Sequence, residues 1–421
     1  MSLNPVIPTN LFNATKVEDG RFVNDVTPPE LEFITLDMDS AVLSLHFSDV
    51  MDVQSVEPLL IEILEYPDSN NSYALQGPYP RSRPLTVDQM DNYTIDIPLS
   101  FDDMNALKNN LDLATSELNT YVTFPSGIAT DIYGQRPPGV PPTRVQTLIP
   151  DTTGPILVGF DLDLNTGILS LSFDEVVNPI TIMHEGITIQ NLPNSSLTDS
   201  GLTFDSHTFV EDSEPLVNNT GVATLQLQLD LDLNALKIAP NLATSMNDTY
   251  ILIDVGTVLD MNDNPNQPVR DGEAIQVSNI IEDTSPPHLR YFDLNLNDNF
   301  LILKFSEAVF PDSLNISTIT LLSAPSSIDT IPFDQDSRVF RREFDSLLYI
   351  QFTTANEEEI KDTSREIAKS PETTFLAIES AAAEDYFGFN VMNISEENAI
   401  QVRQYFEGQF CILLDIVMCD K

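Results

Sequence analysis

Residues 25–51 read DVTPPELEFITLDMDSAVLSLHFSDVM. A proline-bearing turn opens the stretch. Two runs of alternating apolar and polar residues follow, joined by an Asp-rich turn. In the second run Leu43, Leu45 and Phe47 alternate with Ser44 and His46. Successive side chains on a strand point to opposite faces, so the first set faces a core and the second faces water. The pattern returns twice, as DTTGPILVGFDLDLNTGILSLSFDEVV at 151–177 and DTSPPHLRYFDLNLNDNFLILKFSEAV at 283–309. A hairpin that recurs with its turns in register marks a repeated module.

Working outward, the repeat extends well beyond the hairpin. MNALK (104–108), LNALK (233–237) and EEEIK (357–361) occupy one position of the repeat, and LATS (113–116), LATS (242–245) and IAKS (367–370) the next. An aromatic strand then begins at Tyr121, Tyr250 or Phe375, and an acid follows at Asp131, Asp260 or Asp385. These matches divide the chain into modules at 25–150, 151–282 and 283–403, the third most diverged. Residues 1–24 read as the tail of a preceding module or a linker, because VEDGRFV at Val17 parallels VRDGEAI at Val269. Residues 404–421 read as a non-repeat tail. The chain therefore reads as a piece of a longer array.

Each module predicts short strands between Pro, Asn and Asp turns, in the first near 31–36, 41–47, 59–65, 93–98, 120–126 and 143–148, with a shorter one near 72–76. The expected fold class is all-β, three tandem antiparallel β-sandwiches. Asp103 and Asp232 precede apolar residues at helical spacing, which predicts one short helix between the fifth and sixth strands with Asp as its N-cap.

The pattern P-x-L, then L-x-L-x-F-S-[DE], a short helix, a Tyr strand and an Asp-led closing turn resembles the bacterial Ig-like domains of surface-layer type. The resemblance covers about 25–402. It implies tandem extracellular modules with a structural or adhesive role, a cell-surface location, and partners among surface proteins or glycans. It implies no catalysis.

Composition and missing motifs narrow the role further. The chain has 65 Asp+Glu against 19 Lys+Arg, a formal charge of −46, with 42% hydrophobic residues, enough for packed cores. That charge disfavours nucleic acid and anionic membrane surfaces. No apolar run approaches the roughly 20 residues that span a bilayer, and MSLNPVIPTN lacks the features of a signal peptide. The histidines at 46, 184, 207 and 288 fall in no metal or catalytic spacing, and no G-x-S-x-G, phosphate loop or dinucleotide fingerprint occurs. His46 is expected on the surface. Cys411 and Cys419 lie outside the repeat and imply no disulfide framework.

The recurring acids carry the remaining signal. DLDLNTG at 161–167 has Thr166 where an EF-hand loop needs glycine, and Ser172 stands where its Glu belongs, so an Asx turn is the better account. LDMNDNP at 259–265 resembles a cadherin linker, with Pro265 one place early. Topology is more informative. The turn after the first strand lies at the downstream pole of a sandwich, and the turns after the second and sixth strands lie at the upstream pole. In an array Asp37 and Asp39 would approach Asp151, Glu175 and Asp260. Asp163 and Asn165 would approach Asp283, Glu307 and Asp385. Such oxygen-only sets suit Ca²⁺, against the alternative of solubilising turn acids. Glycan acceptors fall at Asn13, Asn70, Asn92, Asn194, Asn218, Asn247, Asn315 and Asn393. Two other roles fit the same features, an accessory region of a larger secreted carbohydrate-active enzyme and a halophilic surface-layer protein.

Overall fold

The computed structural model describes residues 23, 25–79, 93–196, 204–210, 215–216 and 221–407. The chain parts into two compact units, Met1–Thr152 and Thr153–Lys421. Both are built from β-sheets, and among the described residues there are three α-helices: α1 (Phe101–Lys108), α2 (Leu231–Ile238) and α3 (Thr354–Lys361).

In unit one, one sheet runs Thr147–Ile149, Leu31–Asp37, Val42–Phe47, Thr94–Pro98, and the other Ser72–Ala74, Glu62–Leu64, Tyr121–Phe124, Val140–Arg144. Leu43, Leu45 and Phe47 are buried between them with Ile63, Val122 and Phe124. The run expected near 59–65 shortens to Glu62–Leu64, because Pro58 opens a 3₁₀ turn over Pro58–Leu60.

The segment expected as one strand at 143–148 is two. Val140–Arg144 pairs with the Tyr121 strand, and Thr147–Ile149 crosses to the other sheet and pairs parallel with Thr35–Asp37. Buried Val145 makes the corner, its N–H donating to Thr120 O and that of Gln146 to Ile34 O. The sandwich is therefore antiparallel except at this closing strand. Alternation encodes which face a residue takes, not which sheet receives the strand.

Unit two repeats the plan twice, around cores that include Leu169, Leu171 and Phe173 in one sandwich and Leu301, Leu303 and Phe305 in the other. Asn279–Ile281 and Gln404–Phe406 are the parallel closing strands. The second of these lies beyond residue 403, where the sequence repeat fades.

Two expectations need correction. The helix N-caps are Ser100 and Asp230, not Asp103 and Asp232, which lie in the first turn and are buried. His46 is not an open surface residue. Its ring stacks on Phe33 at 3.9 Å and its Nδ1 lies 2.9 Å from Thr94 Oγ1. Its counterpart Lys304 is buried beneath Glu343 and Ser346. Pointing away from the core is not the same as facing water. Among the described residues no helix is long and apolar enough to cross a membrane.

Candidate junction site

Each helix is pinned to its sandwich by one buried polar side chain. Asp103 accepts hydrogen bonds from Gln76 N (2.7 Å), Gly77 N (3.0 Å), Tyr73 OH (2.8 Å), Tyr79 OH (2.6 Å) and Ser100 Oγ (2.7 Å). Asp232 accepts from Val210 N at 3.0 Å and pairs with His207 Nε2 at 2.7 Å. Asn356 accepts from Asp334 N at 2.8 Å and donates to Pro332 O at 3.0 Å.

Burial pushes the Asp103 carboxyl up, but the donors led by Tyr79 outweigh it and hold the group below the ordinary Asp range. A carboxylate with a depressed folded value stabilises the fold above its unfolded pKa, and loses that contribution as pH falls through the folded value. Asp103→Asn should cost unit one about 2 kcal/mol near neutral pH, since the amide turns donors toward donors. It should also flatten the acid limb of stability against pH. Denaturant titrations from pH 7 to pH 3 check both.

Pinned in this way, each helix aims the lysine of its last turn. Lys237 Nζ lies 2.7 Å from Asp283 Oδ2, off-axis for a hydrogen bond, and donates to Glu307 Oε2. The Lys237 side chain is 3% exposed. Beside it Asn234 Oδ1 accepts the Ala308 N–H at 2.8 Å. Unit one holds a partial counterpart, with Lys108 Nζ 3.0 Å from Asp151 Oδ2 and both side chains buried. Lys361 differs. It pairs with Glu357 of its own helix and is 53% exposed.

The acids around Lys237 are Asp283, Glu307 and Asp385, all buried, with ligand oxygens within 4.8 Å of one another. Burial pushes Glu307 up to about 7, the Asp283 charge adding to the rise and Lys237 opposing it. Burial also raises Asp385.

Asp385 leads a turn in which its Oδ1 accepts from Phe387 N and Phe389 N, both at 2.8 Å. Gly388 takes φ +88° there, which glycine alone adopts freely. Asp131 and Asp260 lead the same turn. Their second oxygens are satisfied by Gln135 Nε2 at 3.1 Å and Asn264 Nδ2 at 2.8 Å. Phe389 holds that place in the third copy and has no amide to offer. Asp385 Oδ2 accepts no hydrogen bond among the described residues.

The other candidate ligands have different partners. Asp37 closes its own turn on Ser40 N at 3.0 Å, and Asp39 accepts from Thr152 N at 2.7 Å and Thr152 Oγ1 at 2.8 Å. Asp163 caps Asn165 N at 2.8 Å. Asn165 reaches the linker instead of the acids, accepting from Thr284 N at 2.7 Å and Ser285 Oγ at 2.9 Å and donating to Glu282 O at 3.0 Å. Glu175 is buried in unit two, as is Asp260. Sequence reasoning saw the recurring lysines only as a repeat marker. Their conserved register with the pinning Asp103 and Asp232 was the available signal.

Of the glycan acceptors, Asn70, Asn247 and Asn393 are exposed and Asn194 and Asn315 half-buried. Asn13, Asn92 and Asn218 lie outside the described residues, as do Cys411 and Cys419.

No family model matches the chain, and no curated protein matches it. Solved structures that share features with it include the FN1-FN3 domains of chicken CNTN1, at 8% identity over 89% of this chain and 97% of that one, with a TM-score of 0.20. Domains 1-6 of the surface layer protein SbsC match at 9% identity over 91% of this chain and 55% of that one, TM-score 0.21. Native alpha-2-macroglobulin from Escherichia coli, spanning MG0-NIE-MG1, matches at 9% identity over 86% and 96%, TM-score 0.19. Overlaps this loose bear on neither ligand nor activity.

Proposed function

We propose that this chain is a non-catalytic section of an extracellular array of Ig-like sandwiches, a spacer or stalk with a structural or adhesive role, whose partners are surface proteins or glycans. The observation that carries the reading is the way unit two joins its two sandwiches. A spacer transmits length and force only if its joints resist bending. Here the joint is made by Lys237 among the acids of the next sandwich, by Asn234 on the Ala308 amide, and by Asn165 on the linker at Glu282–Ser285. Linkers between independent domains carry few such bonds.

The test is protease access in the full chain. The acid-specific endoprotease Glu-C should cut after Glu282 far more slowly than at exposed acids such as Glu117 and Glu273. Asn165→Ala should speed that cut several-fold by freeing the linker. Rapid cleavage after Glu282 in the unmodified protein would rule out the stiff joint and the spacer role with it.

A further inference from the structure

With all three buried carboxylates ionised, one ammonium leaves the cluster in unit two with two negative charges in excess. The formal charge of the whole chain is −46, so no surrounding field relieves it. Buried charge of this kind is either neutralised by a proton or held with a counter-ion. Two oxygens that share one calcium ion at about 2.4 Å can lie at most about 4.8 Å apart. The oxygens of Asp283, Glu307 and Asp385 meet that limit. An acidic cluster alone would not establish a site. The second observation is Asp385 itself, a residue 3% exposed that offers a carboxylate oxygen to the cluster and whose buried Oδ2 accepts no hydrogen bond among the described residues. The equivalent oxygens of Asp131 and Asp260 are closed off by Gln135 and Asn264, and Phe389 leaves this one open.

We propose that Asp283, Glu307 and Asp385 form a site for one divalent cation of the calcium class, and that the Lys237 ammonium is a tethered competitor for it. Oxygen-only donors on two turns and a strand end suit Ca²⁺, which accepts irregular coordination and bidentate carboxylates, better than Mg²⁺, which demands a near-ideal octahedron. The divalent ion offsets most of the charge that the ionised acids carry once the ammonium has moved, and gives Asp385 Oδ2 a partner. Lys237 sets the affinity, because part of the binding energy goes to moving its ammonium away from Asp283. The site ties the Asp283 linker to two turns of the third sandwich, so cation binding and joint stiffness are linked. The proposal rests on this geometry and holds whatever the array does.

The test measures calcium bound to the full chain by equilibrium dialysis and titration calorimetry, after chelator treatment, at fixed ionic strength with excess Mg²⁺ to suppress diffuse binding. Asp385→Asn should lose one equivalent of tightly bound Ca²⁺, and Asp102→Asn, an exposed acid, should lose none. Lys237→Gln should bind that equivalent about tenfold more tightly, since a competing charge is gone. Unchanged stoichiometry in Asp385→Asn overturns the site. Unchanged or weaker affinity in a folded Lys237→Gln overturns the competition, and leaves Lys237 as a fixed counter-ion.

Discussion

Lys237→Met should destabilise unit two by about 3–5 kcal/mol in chelator, the usual cost of removing one member of a buried ion pair. The methionine fills the space of the lysine stem but leaves Asp283 and Glu307 facing each other without an ammonium. Lys361→Met is the matched control. It stands at the same position of the repeat, is largely exposed and among the described residues pairs only with Glu357 one turn back, so its loss should cost no more than about 0.5 kcal/mol. Guanidinium titration would blur this contrast by screening, so urea is the denaturant to use. Equal, small effects at both positions would mean that the Lys237 ammonium is hydrated in solution and that the joint is held by Asn165 and Asn234 alone.

The contrast between these lysines shows what a sequence carries and what it leaves out. Strand faces were legible because alternation has a period of two: Leu43, Leu45 and Phe47 are buried, as are their counterparts in unit two. The helices were legible from the spacing of Leu107 and Leu236 with their neighbours. Topology placed Asp283, Glu307 and Asp385 at one pole, because turns after alternate strands share an end of a sandwich. The role of Lys237 was not legible. Lysine is almost always solvated, so a repeated lysine reads as surface unless its partner is known. That partner lies in the next sandwich, outside any local window. Lys108, Lys237 and Lys361 share a motif, yet their burial is decided by what the following segment brings to them. The same limit applies to His46 and Lys304. The pattern fixed the side of the sheet they lie on, but Phe33 and the Glu343–Ser346 turn, which cover them, come from other elements. The turn acid Asp163 was legible as an Asx residue for the opposite reason, since it bonds to backbone within three residues of itself, as Asp37 and Asn295 also do in the other copies.

Phe173→Ala should cost about 3–5 kcal/mol, as an emptied aromatic site in a packed core does. Phe173 sits opposite Leu157 in the sheet and is buried among Leu171, Leu225, Ile187 and Ile251 of the same core. Ser172, one residue earlier, lies on the other face beside Gly159, so Ser172→Ala should change stability by less than about 0.5 kcal/mol. A register shifted by one residue would exchange the two results, because every side chain on the strand would change face. The third sandwich supplies a contrasting case. Phe305→Ala should resemble Phe173→Ala, but Lys304→Ala should not resemble Ser172→Ala, because the Lys304 ammonium is buried against Glu343 and donates to Ser346 Oγ at 3.0 Å. Unit two holds two cores, so a single melting curve would average them. Hydrogen exchange separates them. With Phe173→Ala the amides of Leu225, Leu227 and Ile251 should lose protection first, and those of Leu348 and Ile350 should follow only as far as the Lys237 joint couples one sandwich to the other. Equal loss in both cores would mean that the joint, more than either core, sets the stability of the unit.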